Sequence, residues 1–114
     1  MIAWWTGRAI SENRRIAPGN GRFRVNEDYR GFRESLAWMI KPRAEHFAGP
    51  VCVRLILQLN PRMDAQNVIK PVLDALQDAG VLDDDRQVQR LSLYREDRKG
   101  TEDMIGIVVT EVKG

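Results

Sequence analysis

Apolar and polar residues alternate most strictly over residues 51–59. Val51, Val53, Leu55, Leu57 and Leu59 interleave there with Cys52, Arg54, Ile56 and Gln58. A period of two marks a strand with one face in a core, and Pro61 ends it. Two other stretches repeat at helical spacing. Tyr29, Phe32, Leu36 and Ile40 share one helical face, between a candidate N-cap at Asn26 and a stop at Pro42. Glu27 and Asp28 suit the positive end of that helix. Ile69, Val72, Leu73, Leu76 and Ala79 mark a second amphipathic helix, with Gly80 as a natural C′ residue. Pro71 is unfavourable inside a helix and biases Lys70 away from helical backbone. Residues 64–69 are therefore expected to form an irregular or distorted turn, with regular helix from about Pro71.

The remaining segments read as strands and loops. Trp4-Trp5-Thr6 centres a first strand over residues 3–10, with one of the two tryptophans in the core. Residues 11–21 read as a loop, marked by Pro18-Gly19-Asn20-Gly21, before a short strand over 22–25. Further strands are expected over 87–95 and 104–112, joined by a turn around Lys99-Gly100. These elements predict one domain, residues 1–114, of the α+β class. Its two layers are a mixed, largely antiparallel sheet and two helices packed on it.

Composition narrows the class without naming a function. The chain is 43% hydrophobic and 30% charged, as ordinary globular proteins are. No apolar run approaches the roughly 20 residues of a membrane span. The start MIAWWTGRAI lacks the charged and apolar regions of a signal peptide. The single cysteine, Cys52, lies within a strand and reads as a packing residue. The expected setting is cytoplasmic. The net charge of +2 hides an asymmetry. Residues 1–43 carry nine Lys/Arg against four Asp/Glu, a balance of +5. Residues 61–86 carry three bases against six acids, a balance of −3. A basic arm beside an acidic centre suits a metal-dependent enzyme acting on a polyanion. Arg14, Arg15, Arg22, Arg24, Arg30 and Arg33 are the candidate DNA-binding residues, the alternative being a merely solvated surface.

The candidate chemistry lies between Asn60 and Leu91. Asp64 follows the alternating strand, and Asp83, Asp84 and Asp85 stand together after the second helix. Adjacent carboxylates repel, so such a run faces solvent or gathers a cation. Mg²⁺ takes oxygen ligands, often one or two carboxylates plus a substrate phosphate. Each residue also has a plainer reading. Asp64 fits an N-cap, and Lys70 stands four residues before Asp74, where a helical pair is worth only tenths of a kcal/mol. Two chain routes are open. A helix over 70–79 descends about 15 Å, and an extended 80–85 climbs roughly 17 Å, so Asp85 can return to the level of Asp64. The following strand would then run antiparallel to 51–59. A right-handed β-α-β crossover would instead leave Asp85 at the opposite end.

The stretch resembles the RusA-type Holliday junction resolvases. That family carries D-x-D-N-x-x-K, then D-A-L, G-V and D-D-x-Q-V. The matching residues are Asp64, Asn67 and Lys70, Asp74-Ala75-Leu76, Gly80-Val81, and Asp84-Asp85-Arg86-Gln87-Val88. The resemblance favours the antiparallel route. It implies a homodimeric, Mg²⁺-dependent (or Mn²⁺-dependent) endonuclease that resolves four-way DNA junctions in recombination and repair. It implies catalytic roles for Asp64, Lys70 and Asp85. Metal ligation would fall to Asp64 and Asp85, with Asp84 in support and Gln66 at the place of a family carboxylate. Gln66 departs from the pattern, since an amide brings no negative charge to a hard cation. Two alternatives stand beside the active resolvase: a junction-binding protein that cuts weakly, and a protein-interaction or regulatory domain.

Overall fold

The computed structural model describes residues 1–11, 16–19 and 22–113. Its frame is a four-stranded sheet in the order β1 (Ile2–Gly7), β6 (Asp103–Glu111), β4 (Val51–Leu59), β5 (Val88–Asp97). The β1–β6 and β6–β4 pairs are antiparallel and the β4–β5 pair is parallel. Helices α1 (Glu27–Ile40) and α2 (Gln66–Asp78) cover one face. This is the expected α+β architecture of a mixed sheet with two helices packed on it.

The core follows from the two periodicities. Val51, Val53, Leu55, Leu57 and Leu59 are buried on one side of β4, and Ile105, Ile107 and Val109 continue that surface on β6. Tyr29, Phe32, Leu36 and Ile40 close over it from α1, as do Val68, Val72, Ala75 and Leu76 from α2. Full burial of each large aliphatic side chain contributes about 1.5–3 kcal/mol. Of the adjacent tryptophans, Trp5 enters the core. Its indole N–H donates to Ser35 Oγ at 2.9 Å, and its ring meets Phe32 edge-on at 5.0 Å. Asn26 caps α1 through Oδ1, which accepts from the Asp28 and Tyr29 amides. Gly80 closes α2 at φ 81°, where its amide donates to Gln77 O and the Val81 amide to Leu76 O.

The structure corrects three sequence expectations. Part of the expected loop is a strand. β2 (Ile16–Gly19) pairs antiparallel with β3 (Arg22–Val25) as a separate ribbon. Pro18 is tolerated there because a two-stranded ribbon leaves outward-facing edges that need no donor. The second helix begins at Gln66, not near Pro71. Pro71 falls in its second turn and deprives it of one N–H. The ring is itself buried, so packing outweighs local propensity. The amides of Asn67 and Val68 close tight three-residue turns on Asp64 O and Ala65 O.

The third correction concerns direction. β5 runs parallel to β4, with Val51 beside Val88 and Leu59 beside Asp97. The chain after Gly80 does not climb, because it is tied at the foot of the sheet. Phe47 N–H donates to Val81 O at 2.9 Å, and Phe47 and Leu82 form a parallel bridge. Asp84 then caps a 3-10 turn, Asp85–Gln87, that feeds directly into β5. The crossover route is the one taken.

Candidate functional site

The acidic residues form two separate groups. Asp64 lies just past the carboxyl end of β4. Asp83, Asp84 and Asp85 lie just before the amino end of its parallel neighbour β5. The nine-residue β4 separates them by roughly 25–30 Å at about 3.3 Å per residue. The expected approach of Asp64 and Asp85 within one chain is therefore overturned. Among the described residues, no three His, Cys, Asp or Glu side chains gather where they could hold a metal ion. Asp64 and Asp85 of one chain are too far apart to ligate the same ion.

At the first end, the turn before Asp64 is held from three sides. Asn60 Oδ1 accepts from the Arg62 amide, and Asn60 O accepts from the Met63 amide. Arg95, on β5, donates to Met63 O at 2.8 Å and to Asn60 O at 3.0 Å. Asp103 is 1% exposed and gathers the Ala9 and Asn60 amides, each at 2.8 Å, with Arg98 at 3.2 Å. A buried carboxylate is tolerated only when so satisfied. Asp64 itself is exposed and accepts from the Gln66 amide at 3.1 Å. Gln66 is exposed as the first residue of α2, two positions from Asp64.

Lys70 and Arg33 share an ionic chain along the helices. Lys70 Nζ lies 3.3 Å from Asp74, whose other oxygen is 3.7 Å from Arg33. Arg33 grips Asp78 with two bonds, at 2.7 and 2.9 Å. The bond to Asp78 raises the Arg33 pKa further, against the opposing effect of burial. Lys70 thus takes its plainer pairing while remaining part-exposed. Arg33 ties α1 to α2, and Arg30 is exposed on α1. Arg22 and Arg24 lie on β3, and Arg14 and Arg15 fall outside the described residues. The β2–β3 ribbon lies in the chain between β1 and α1. Arg8 to Ser11, which lead into it, share a cavity of about 190 Å³ with Asn60 and Met63, so the basic arm starts from the Asp64 end.

At the second end, the three acids differ. Asp83 meets His46 at 3.0 Å. Asp84 accepts from the Arg86 amide and guanidinium. The guanidinium bond, then the amide bond, pull its pKa down to about 2. Asp85 opens the 3-10 turn with its side chain exposed. Gln87 fixes the turn. Its Oε1 accepts from the Asp83 and Asp84 amides at 2.7 and 3.0 Å, and its Nε2 donates to Phe47 O and Gly49 O at 2.6 and 2.9 Å.

Sequence reasoning missed Arg95, Asp103 and the work of Gln87. Arg95 interrupts an alternating strand, and Asp103 stands at a strand start like any turn acid. Neither stands out in the sequence, because the backbone groups they hold are 32 to 94 positions away in the chain.

Fold and site together define a two-layer α+β domain with acidic turns at opposite ends of its parallel strand pair and a basic arm at one of them. Residues 8–110 match the model of endodeoxyribonuclease RusA, and the chain belongs to that family of Holliday junction-resolving endonucleases. No curated protein matches the chain. No helix among the described residues is long and apolar enough to cross a membrane.

Proposed function

We propose that this protein is a homodimeric, divalent-metal-dependent nuclease of four-way DNA junctions, acting in the cytoplasm, whose acidic sites are each built from two copies of the chain. The observation that carries the dimer is the separation of Asp64 from Asp85 across the parallel pair β4–β5. β5 is an edge strand of ten residues, exposed along most of its length. Leu91 and Leu93 are 39% and 36% exposed, although their ladder partners Val53 and Leu55 are buried. A long, open edge with apolar side chains invites pairing with another strand. Pairing β5 with its own copy about a twofold axis is antiparallel, so the start of one β5 meets the end of the other. Asp85 of one copy then comes beside the Arg95-held turn and Asp64 of the second.

A twofold dimer yields two such sites, matching the two symmetric strands that a junction offers for cutting. When bound, a hard divalent cation such as Mg²⁺ or Mn²⁺ offsets charge on a scissile phosphate and acidifies a water. The chain's own part is to present Asp64 and Asp85 as exposed carboxylates. Lys70 steadies phosphate charge, and the arm bearing Arg14, Arg15, Arg22 and Arg24 neutralises flanking phosphates, joined by the exposed Arg30.

Gln66 supports a second reading, a junction binder that cuts weakly, because it removes one ligand charge. The deciding experiment incubates the protein with a four-way junction at zero and saturating Mg²⁺, beside the Asp85→Asn variant. Metal-dependent cutting by the wild type, with binding but no cutting by the variant, is expected. Binding without cutting by either, at any metal concentration, selects the second reading. No binding at all rejects both.

A further inference from the structure

We infer that the sheet face turned away from the helices is a platform for an unpaired DNA strand. One row of the ladder crosses all four strands: Trp4, Gly106, Ile56 and Tyr94. Trp4 is 47% exposed and Tyr94 63% exposed. Gly106 is what lets Trp4 lie flat on the sheet, since a Cβ there would sit 2.5 Å from the indole ring. Two aromatic rings are thus displayed on one face, three strand spacings or roughly 14 Å apart.

The cations beside them point to a polyanion. Arg54 and Arg90 line a groove of about 770 Å³ on the same strands, and neither forms a salt bridge with a described residue. Glu96, an acid on this face, is already bound by the Gln58 amide at 2.8 Å. Exposed aromatics for base faces, with unpaired arginines for the backbone, are what single-strand binding surfaces combine, and four-stranded sheets use them to stack two or three bases. A second copy is a poorer occupant, because face-to-face pairing would bury these arginines without carboxylates to meet them. The ligand class is a short single strand of either base composition, such as the bases unpaired at a branch point. In that setting the inference rests on the branched-DNA reading.

The test titrates a fluorescein-labelled twelve-residue thymidine oligonucleotide, and separately a four-way junction, in EDTA. The proteins are the wild type, Tyr94→Ala, and Arg54→Gln combined with Arg90→Gln. Oligonucleotide affinity is expected to fall about tenfold for Tyr94→Ala. The double variant is expected to flatten the salt dependence by about 1.4 units, or 0.7 for each lost single-strand phosphate contact. These side chains are exposed, so melting temperatures should hold and a loss of affinity will not reflect unfolding. Unchanged oligonucleotide affinity and salt slope in both variants overturns the platform. So does conversion of a dimer to a monomer by Tyr94→Ala in sedimentation, which would make the face an interface between copies. A wild type that ignores the junction yet loses oligonucleotide affinity on Tyr94→Ala supports the platform and rejects the branched-DNA reading.

Discussion

Asp84 and Gln66 show how one side chain sets the chemistry of its neighbours. Asp84 stays ionised to a lower pH than an ordinary carboxylate because Arg86 bonds it from both side chain and backbone. A carboxyl depressed to about 2 adds stability above its ordinary 3.8 and loses it as pH falls through 2. Arg86→Ala should move the Asp84 titration, followed by carboxyl NMR, back up toward 3.8. An unmoved titration would mean that another group depresses it. Gln66→Asp should increase metal-dependent junction cutting by restoring a ligand charge. Asp at the first position of α2 gains about 0.3–1 kcal/mol from the helix dipole. Repulsion from Asp64, exposed to water, costs a similar amount at most. The metal-free melting temperature should therefore change little, while saturating Mg²⁺ raises it through binding to the native state. A lower melting temperature that Mg²⁺ does not restore, with no gain in cutting, rejects the assignment.

At the scale of elements, the sequence was most legible where one interaction dominates. The alternation in β4 and the 3.6-residue spacing in α1 each report burial on a single face, so both appear in the expected places. The start of α2 was illegible because Pro71 reports a local cost, while the burial that offsets it depends on distant partners. The direction of β5 was illegible for a related reason. Chain length allowed both routes, and the choice is made by Phe47 and Gln87, which clamp residues 81–87 at the foot of β4. The D-D-x-Q pattern therefore records a scaffold as well as acids. Gln87→Ala should cost about 1–3 kcal/mol in denaturant unfolding, because two amides and two carbonyls lose a partner. Arg33→Ala should cost less, about 1 kcal/mol at most, since the Arg33–Asp78 pair is 39% and 40% exposed. If the order of the two losses is reversed, Gln87 is not the clamp.

At the scale of the whole molecule, the parallel β4–β5 pair turns a question of catalysis into one of symmetry. Asp64→Asn and Asp85→Asn should each abolish cutting when assayed alone. If every site takes Asp64 from one copy and Asp85 from the other, a dimer with one copy of each variant has one site with both lesions and one with none. Mixing the two inactive proteins under conditions that exchange subunits should then restore single-strand nicking of the junction. Random exchange makes about half of the dimers mixed, each with one intact site, so about a quarter of the wild-type sites return. A site contained within one chain predicts the opposite, because each copy would keep its own lesion. The readout is nicks per junction on a denaturing gel, with each variant alone and the mixture at equal total protein. Sedimentation of the mixture confirms that dimers persist. No nicking by a mixture shown to have exchanged would reject the two-copy site and require Asp64 and Asp85 to act separately.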